Sequence, residues 1–426
     1  MELTVLMGSL GVLLLIGVPV AFALLGASLL TLMVLDIPLV VAFQQMAAGM
    51  NIFALIAIPF FVFAGDLMHH AGIARRIVQV ADAVLGRTRG GLGQVNVGAS
   101  MLFGAVSGSA IASVSALGST LMPMMKEKGY DADYAVNVTT TAAITGLLIP
   151  PSHNMIIYAA AAGVGVSVNE LFLAGVIPGI LTGGLLMVAA WLVAVKRGYP
   201  RGQFPGWRAF GLALAAALPG LTTALIIFIG VLAGLFTPTE SSAVAVIYTV
   251  IVAAFVYRSM GREGFFAAVT GAVRTTAMVM LIIGAAGTFG WLVALLEAPA
   301  QLAALIQSLS DNPIVVMLVI NLMLLILGTF MDMAPLIVIG TPIFLPVAQA
   351  VGVDPVHFGI IMMLNLGIGL VTPPVGSVLF VGAAIGRIKV EQAVKTIWPF
   401  YLALAASLAL ITYVPYLSLA LPQLSR

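Results

Sequence analysis

Four short polar runs interrupt an otherwise apolar chain, and they carry most of its chemistry. The first, "FGAVSGSAIASVSALGS" (Phe103–Ser119), crowds hydroxyls around Gly108. The second, "GLLIPPSHNM" (Gly146–Met155), sets Ser152, His153 and Asn154 behind two adjacent prolines. The third, "LGTFMDMAPLIVIGTP" (Leu327–Pro342), holds one carboxylate, Asp332. The fourth, "GLVTPPVGSV" (Gly369–Val378), repeats the double proline. Proline has no amide donor and clashes with the turn before it, so neither Pro-Pro pair can continue a helix. Unwound carbonyls with Ser, Thr or Asp oxygens make a hard-ligand cage suited to a small cation such as Na+. Half-helix N-termini attract anions, because their N–H groups lack partners. Ser107, Ser109, Ser152 and Asn154 add donors for carboxylates or hydroxyls. Asp332, an ionisable group at membrane depth, is a functional expectation by default.

Plainer readings compete with these. A serine in a membrane helix more often bonds back to its own carbonyls or packs against a neighbour. A Pro-Pro pair can be a mere kink. His153 reads as a substrate donor, a proton carrier or a simple cap. Glu240, in "TPTESSA" (Thr237–Ala243), reads equally as a scaffold partner or a contact for another subunit. His69, His70 and His357 read as interfacial.

The elements that must position these residues follow from composition. Of 426 residues, 62% are hydrophobic and 8% charged, with a mean hydropathy of +1.19. A soluble domain carries about 25% charged residues, so this is an all-α polytopic membrane protein. The absence of Cys excludes disulfides and thiolate metal sites. Met1-Glu2-Leu3 opens into an apolar stretch with no basic leader, which predicts a retained first helix. Long apolar stretches run at roughly Leu3–Leu35, Ile52–Met68, Ala132–Val164, Leu171–Val195, Ala209–Phe236, Ser242–Val256, Phe265–Leu296, Ile314–Phe330, Phe358–Ile385 and Ile397–Leu421. Pro19 threatens the first of them. Gly91–Met125 and Ile314–Ala350 read instead as re-entrant hairpins, with arms of about 10–16 residues, too short to cross singly.

Basic residues set the orientation. With the first hairpin entering from the cytoplasm and the second from outside, all five Lys/Arg clusters fall on the cytoplasmic face. Of the seventeen basic residues only Arg426 is left outside. Asp36, Glu170, Glu297, Asp311 and Asp354 then fall outside as well. The N-terminus is cytoplasmic and the C-terminus periplasmic in this arrangement.

Sliding the chain on itself by 223 residues aligns ten of the forty-one positions from Pro123 to Gly163. Among them are Pro150-Pro151 with Pro373-Pro374, Gly146-Leu147 with Gly369-Leu370, and Asp131 with Asp354. With opposite charge-derived orientations, the two units form an inverted repeat of the kind found in secondary transporters. Intramembrane proteolysis is a weak rival. "AVSG" (Ala105–Gly108) is near the Gly-x-Ser-Gly of rhomboid-type proteases, with His153 as base, but its first Gly is missing. No Walker A motif is present, so ATP is not the direct energy source.

Several stretches together resemble a known family: "MNIFALIAIPFFVFAGDLM" (Met50–Met68), "GGLGQVNVGASMLFGAVSGSAIASVSALGSTLMPMMKEKGY" (Gly90–Tyr130), "LIPPSHNMIIYA" (Leu148–Ala159), "GTFMDMAPLIVIGTPIFLP" (Gly328–Pro346) and "VTPPVG" (Val371–Gly376). The resemblance is to the large permease (DctM-like) subunit of tripartite ATP-independent periplasmic (TRAP) transporters, and it spans essentially the whole chain. It implies an elevator-type importer in the bacterial inner membrane, with two or more coupling Na+ ions. It also implies a four-helix membrane partner, expected as a separate chain, and a periplasmic binding protein that delivers an organic acid. By position, the first Na+ site falls on Ser107, Gly108, Ser109, Pro150 and Ser152. The second falls on Gly328, Thr329, Asp332, Thr372, Pro373 and Gly376. Substrate is expected near Ser109, Ser113, Ser152 and Asn154. The expected division is scaffold and first arm over 1–90, a first transport unit over 91–165, connecting scaffold over 166–296, a second arm over 297–312, a second unit over 313–388 and a last scaffold helix over 389–426. A stand-alone Na+/dicarboxylate or citrate symporter of the same superfamily is the alternative.

Overall fold

The computed structural model describes residues 2–163, 165–202, 204–232, 234–309 and 312–425. Asp311 and Arg426, two of the charges used for orientation, lie outside them. Among the described residues every regular element is a helix, apart from one isolated bridge between Arg89 and Arg201.

Helices α1 (Glu2–Leu15) and α2 (Val20–Val34) come from a single apolar stretch. Gly17, at φ 85°, and Pro19 split it, because neither can propagate the ladder. Then come α3 (Val40–Met50), α4 (Ala57–His70) and the amphipathic α5 (Ile73–Leu85). The first hairpin is α6 (Gly91–Ser107) and α7 (Ala110–Glu127); its broken partner is α8 (Ala132–Ala143), α9 (Thr145–Leu148) and α10 (His153–Ala162). A middle section holds α11 (Val168–Lys196), α12 (Trp207–Leu232), α13 (Pro238–Ile251), α14 (Arg262–Leu295) and α15 (Ala298–Leu309). The second hairpin is α16 (Pro313–Phe330) and α17 (Met333–Ala350), followed by the broken pair α18 (Pro355–Gly369) and α19 (Ser377–Gly386). Helices α20 (Val390–Thr396), α21 (Trp398–Tyr413) and α22 (Tyr416–Ser425) end the chain.

Among the described residues, seven helices are long and apolar enough to cross a membrane, or eight if the pair α20–α21, bent by 64°, counts as one. The hairpin arms are 17, 18, 18 and 18 residues long, longer than the expected 10–16. Prolines at 123, 342 and 346 stay inside α7 and α17 instead of ending them. At 1.5 Å per residue such arms reach about 27 Å, close to the roughly 30 Å apolar thickness of a bilayer.

The helices sort into two groups by contact. In one, α14 runs beside α2, α3 and α4, α13 packs on α4 and α12, and α1 lies on α2. In the other, the two hairpin units interlock reciprocally: α10 of the first packs on α17 of the second, and α19 of the second packs on α7 of the first. Glycines set these crossings. A Cβ on Gly382 or Gly386 of α19 would strike Thr140 or Val136 of α8, and one on Gly359 of α18 would strike Tyr158 of α10. Helix α11, expected among the scaffold, packs on α6, α9, α18, α21 and α22. Its Gly175 and Gly179 lie flush on Leu148 and Ile149, where the first broken helix opens.

A polar clasp fixes the base of the first unit. Arg197, just past α11, meets Asp131 at 2.9 Å and Asp133 at 2.8 Å. The Tyr199 hydroxyl donates to Asp131 at 2.6 Å, and the Tyr134 hydroxyl donates to the Ala190 carbonyl. Asp354, the counterpart of Asp131 in the repeat, instead caps α18 by accepting from the Val356 and His357 amides.

Candidate functional site: two hairpin tips closed on two helix breaks

Ser107 ends α6 and is buried, Gly108 turns the chain at φ 60°, and Ser109 is extended. The left-handed turn requires glycine here for a second reason. A Cβ on Gly108 would lie 3.0 Å from the Pro151 carbonyl oxygen and 3.4 Å from both Ser152 Cα and His153 Nδ1. The Gly108 turn therefore rests directly on the break at Pro151, Ser152 and His153. Ser109 Oγ accepts from the Ala112 amide and caps α7. Ser113 Oγ donates to the Ser109 carbonyl at 2.8 Å and lies 3.2 Å from Ser107 Oγ. Ser107 Oγ thus pairs with Ser113 Oγ. Ser152 is fully buried and its hydroxyl has no partner. Asn154 is buried in the first turn of α10.

The second tip is built differently. Gly328 and Thr329 are buried in the last turn of α16, while Met331 and Asp332 are extended. Asp332 is exposed, and its carboxylate accepts from the Met333 amide at 2.8 Å as the N-cap of α17. The tip is tied to its break by backbone: the Val375 amide donates to the Thr329 carbonyl at 3.2 Å. Thr372 and Pro373 are half-buried in the loop between α18 and α19, and Gly376 is buried at φ 35°. The hydroxyls of Thr329 and Thr372 donate to Ile326 O and Ile368 O, both at 2.7 Å. Their protons are used, so each keeps lone pairs free to accept or ligate. From α21, the Tyr401 hydroxyl holds the Val371 carbonyl at 2.6 Å.

Two glycine pairs, which the motif reading missed, set both seams. Gly104 of α6 meets Gly146 of α9 backbone to backbone, so a Cβ on either would collide with the other's Cα. Gly369 of α18 meets Gly328 of α16, where a Cβ on Gly369 would lie 2.5 Å from the Gly328 carbonyl carbon. Gly146 and Gly369 coincide in the 223-residue repeat, and that was the available signal. A third close approach comes from α4, where a Cβ on Gly65 would lie 3.3 Å from Ser107 Cα.

Other sequence readings resolve locally. Glu240 forms a capping box with Thr237 at the start of α13, accepting from the Thr237 amide at 2.8 Å. His69 and His70 are exposed, as expected of interfacial residues. His357 is not interfacial: it is 2% exposed, with Nε2 3.3 Å from the Thr412 carbonyl. The helix packing that encloses α18 on all sides draws it inside. A cavity of about 270 Å³ lies between α3, α10, α14 and α17, and an apolar one of about 400 Å³ between α4 and α14. Neither is lined by Ser109, Ser113, Ser152 or Asn154.

Residues 7–417 match the family model described as the DctM component of the tripartite ATP-independent periplasmic transporter. The chain is 45% identical over 423 residues to the uncharacterized protein YgiK of Salmonella typhimurium, covering 99% of this chain and 97% of that one. It is 40% identical over 409 residues to the sialic acid TRAP transporter large permease protein SiaM of Vibrio cholerae, covering 96% and 95%. Among solved structures, the YdaH transporter of Alcanivorax borkumensis superposes with a TM-score of 0.62 over 89% of each chain, at 15% identity, a likeness of fold. The polytopic helical fold, the paired tips and breaks, and a family match spanning nearly all of the chain agree: this protein belongs to the DctM family, the large permease subunits of TRAP transporters.

Proposed function

We propose that this permease is a Na+-coupled importer of a small organic acid, which a periplasmic binding protein delivers to it and to a separate small membrane subunit. The observation that carries the proposal is the closure of each hairpin tip on its own helix break, with the buried, unpartnered Ser152 hydroxyl at the first seam and buried Thr329 at the second. The chemistry of the donors fits a hard cation. At the first seam stand the Ser152 hydroxyl and the Pro151 carbonyl, at the second the Thr329 and Thr372 hydroxyls and the loop to Gly376. Sodium is cargo here, and substrate binds near Ser109, Ser113, Ser152 and Asn154, close to the N-termini of α7 and α10, whose free amides favour a carboxylate.

In this reading the two units form an inverted repeat and move together as an elevator. The contacts of α11 and α21 support including them in the moving body, with α1–α4 and α12–α14 as its track. Coupling follows from desolvation. A seat holding only cation or only anion carries net charge or orphan dipoles, which makes its passage through the apolar layer costly. The first hairpin opens toward the cytoplasm and the second toward the periplasm, in line with the basic loops. The relative SiaM carries sialic acid in its name; for this chain the proposal stops at the class of organic acids.

The test is uptake by proteoliposomes holding the permease, its small subunit and the cognate binding protein. Uptake should require an inward Na+ gradient and the loaded binding protein. Equal uptake in choline removes the coupling proposal. Rapid uptake of free substrate by this chain alone favours the stand-alone symporter.

A further inference from the structure

Away from the four polar runs, the second unit is crossed by a buried pair of side-chain amides. Asn321 on α16 and Asn365 on α18 are 8% and 0% exposed. Asn365 Nδ2 donates both to the backbone oxygen of Asn321, at 2.9 Å, and to its Oδ1, at 2.8 Å. Asn321 Nδ2 in turn donates to Thr412 Oγ1 on α21 at 3.1 Å. The first unit has its own version. Asn96 Nδ2 on α6 donates to Thr139 Oγ1 on α8 at 2.6 Å, and both residues are fully buried. In each unit, then, one amide joins the first hairpin arm to the first half of the broken helix.

Their positions along the helices give these contacts a use. Asn365 lies one turn before Gly369, and Asn321 lies two turns before Gly328. Asn96 and Thr139 stand about two turns before Gly104 and Gly146. Within the packing of the two helices, each seam thus carries a directional amide contact toward its base and a close glycine contact near its tip. Apolar packing tolerates small slides, whereas the amide hydrogen bonds fix one register. Burial makes the amide contact selective, because losing one partner strands a polar atom away from water.

We propose that Asn321 and Asn365 are positioning residues for the second cation seat. They hold α16 and α18 in the register at which the Thr329 carbonyl meets the Thr372–Gly376 loop. The proposal rests on reading that seat as a cation site, and neither asparagine touches the ion. Asn96 with Thr139 does the same for the first seat.

Asn365→Leu, Asn321→Leu and the double variant test this in the purified permease. The first readout is a sodium titration of the thermal midpoint, with choline chloride as the control. The second is the sodium half-saturation of uptake in the full proteoliposome system, beside the apparent KM for loaded binding protein at saturating Na+. Asn365→Leu should raise the sodium half-saturation several-fold, by freeing the register of α16 against α18, and leave that KM unchanged. In the double variant both amides become apolar and only the Thr412 hydroxyl loses its partner, so most of the Na+-free midpoint should recover while the sodium half-saturation stays high. A double variant that recovers both overturns the proposal and makes the pair a packing feature. So does an Asn365→Leu protein whose midpoint falls while its sodium half-saturation holds. Wild-type protein without any sodium response defeats the cation reading itself, before any variant is made.

Discussion

The two hairpin tips each close on a double-proline break, and they are built by different means. At the first, side chains and a left-handed glycine press the tip onto the break: Gly108 sits on Pro151 and Ser152, and Ser152 is enclosed with its hydroxyl unpartnered. At the second, a single backbone hydrogen bond from Val375 to Thr329 joins tip to break, and the one carboxylate faces outward to cap its own helix. The glycine seams differ on one side only. Gly104 and Gly146 leave no room on either side, and Gly369 leaves none toward Gly328, whereas a Cβ on Gly328 would find its nearest neighbour at 3.4 Å, an ordinary contact. The first seam is thus closed from both helices and the second from α18 alone.

This contrast is open to direct attack. The largest effect is expected at the tight seam. Gly104→Val drives a branched side chain into Gly146 and should abolish uptake and lower the thermal midpoint sharply, since overpacking costs about 1–3 kcal/mol or more. Gly328→Ala should stay near wild type in both. Equal damage at the two positions would erase the difference between the seams.

A smaller, more selective effect is expected at Ser152. Ser152→Ala removes a buried hydroxyl that has no partner, so the Na+-free midpoint should hold or rise, by up to about 1 kcal/mol equivalent. Its rise with added sodium should shrink. A midpoint that falls in choline would mean that the hydroxyl serves the fold and not the ion.

At the second tip, Asp332→Asn and Asp332→Ala separate cap from charge. Asn caps about as well as Asp, while Ala forfeits about 1 kcal/mol. Loss of sodium-driven uptake in both variants, with a lowered midpoint only in Asp332→Ala, assigns the charge to transport. Full uptake by Asp332→Asn at normal sodium dependence leaves the residue a cap.

The smallest effect belongs to the basal clasp. Arg197→Ala should cost about 1 kcal/mol, because the pair with Asp131 is exposed and screened while the bidentate contact with Asp133 is only partly so. High salt should narrow its distance from wild type.

Much of this was legible in the residues. Paired prolines cannot be hidden in a helix, so Pro150-Pro151 and Pro373-Pro374 announced both breaks. The split of the first apolar stretch at Pro19 was foreseeable for the same reason. What could not be read depended on which faces meet. Gly146 and Gly369 are marked by the 223-residue alignment and Gly328 by the resemblance, but among forty-five glycines only the packing of arm on break shows which of them touch, and it alone singles out Gly104. Asp332 stood out as a lone carboxylate, but its capping role depends on where α17 begins. His357 looked interfacial because it follows a helix start, and only the neighbouring α21 encloses it. The grouping of α11 with the hairpin units likewise comes from contacts between residues far apart in the chain.

The central claim is that both tip–break seams are seats for the coupling cation. Anomalous diffraction from crystals grown with thallium(I) in place of sodium tests it most directly. Two peaks are expected, one among Ser107–Ser109 and Pro150–Ser152 and one among Thr329, Asp332 and Thr372–Gly376, both suppressed by excess Na+. Peaks confined to the surface, with both seams empty in a protein that still transports, would contradict it.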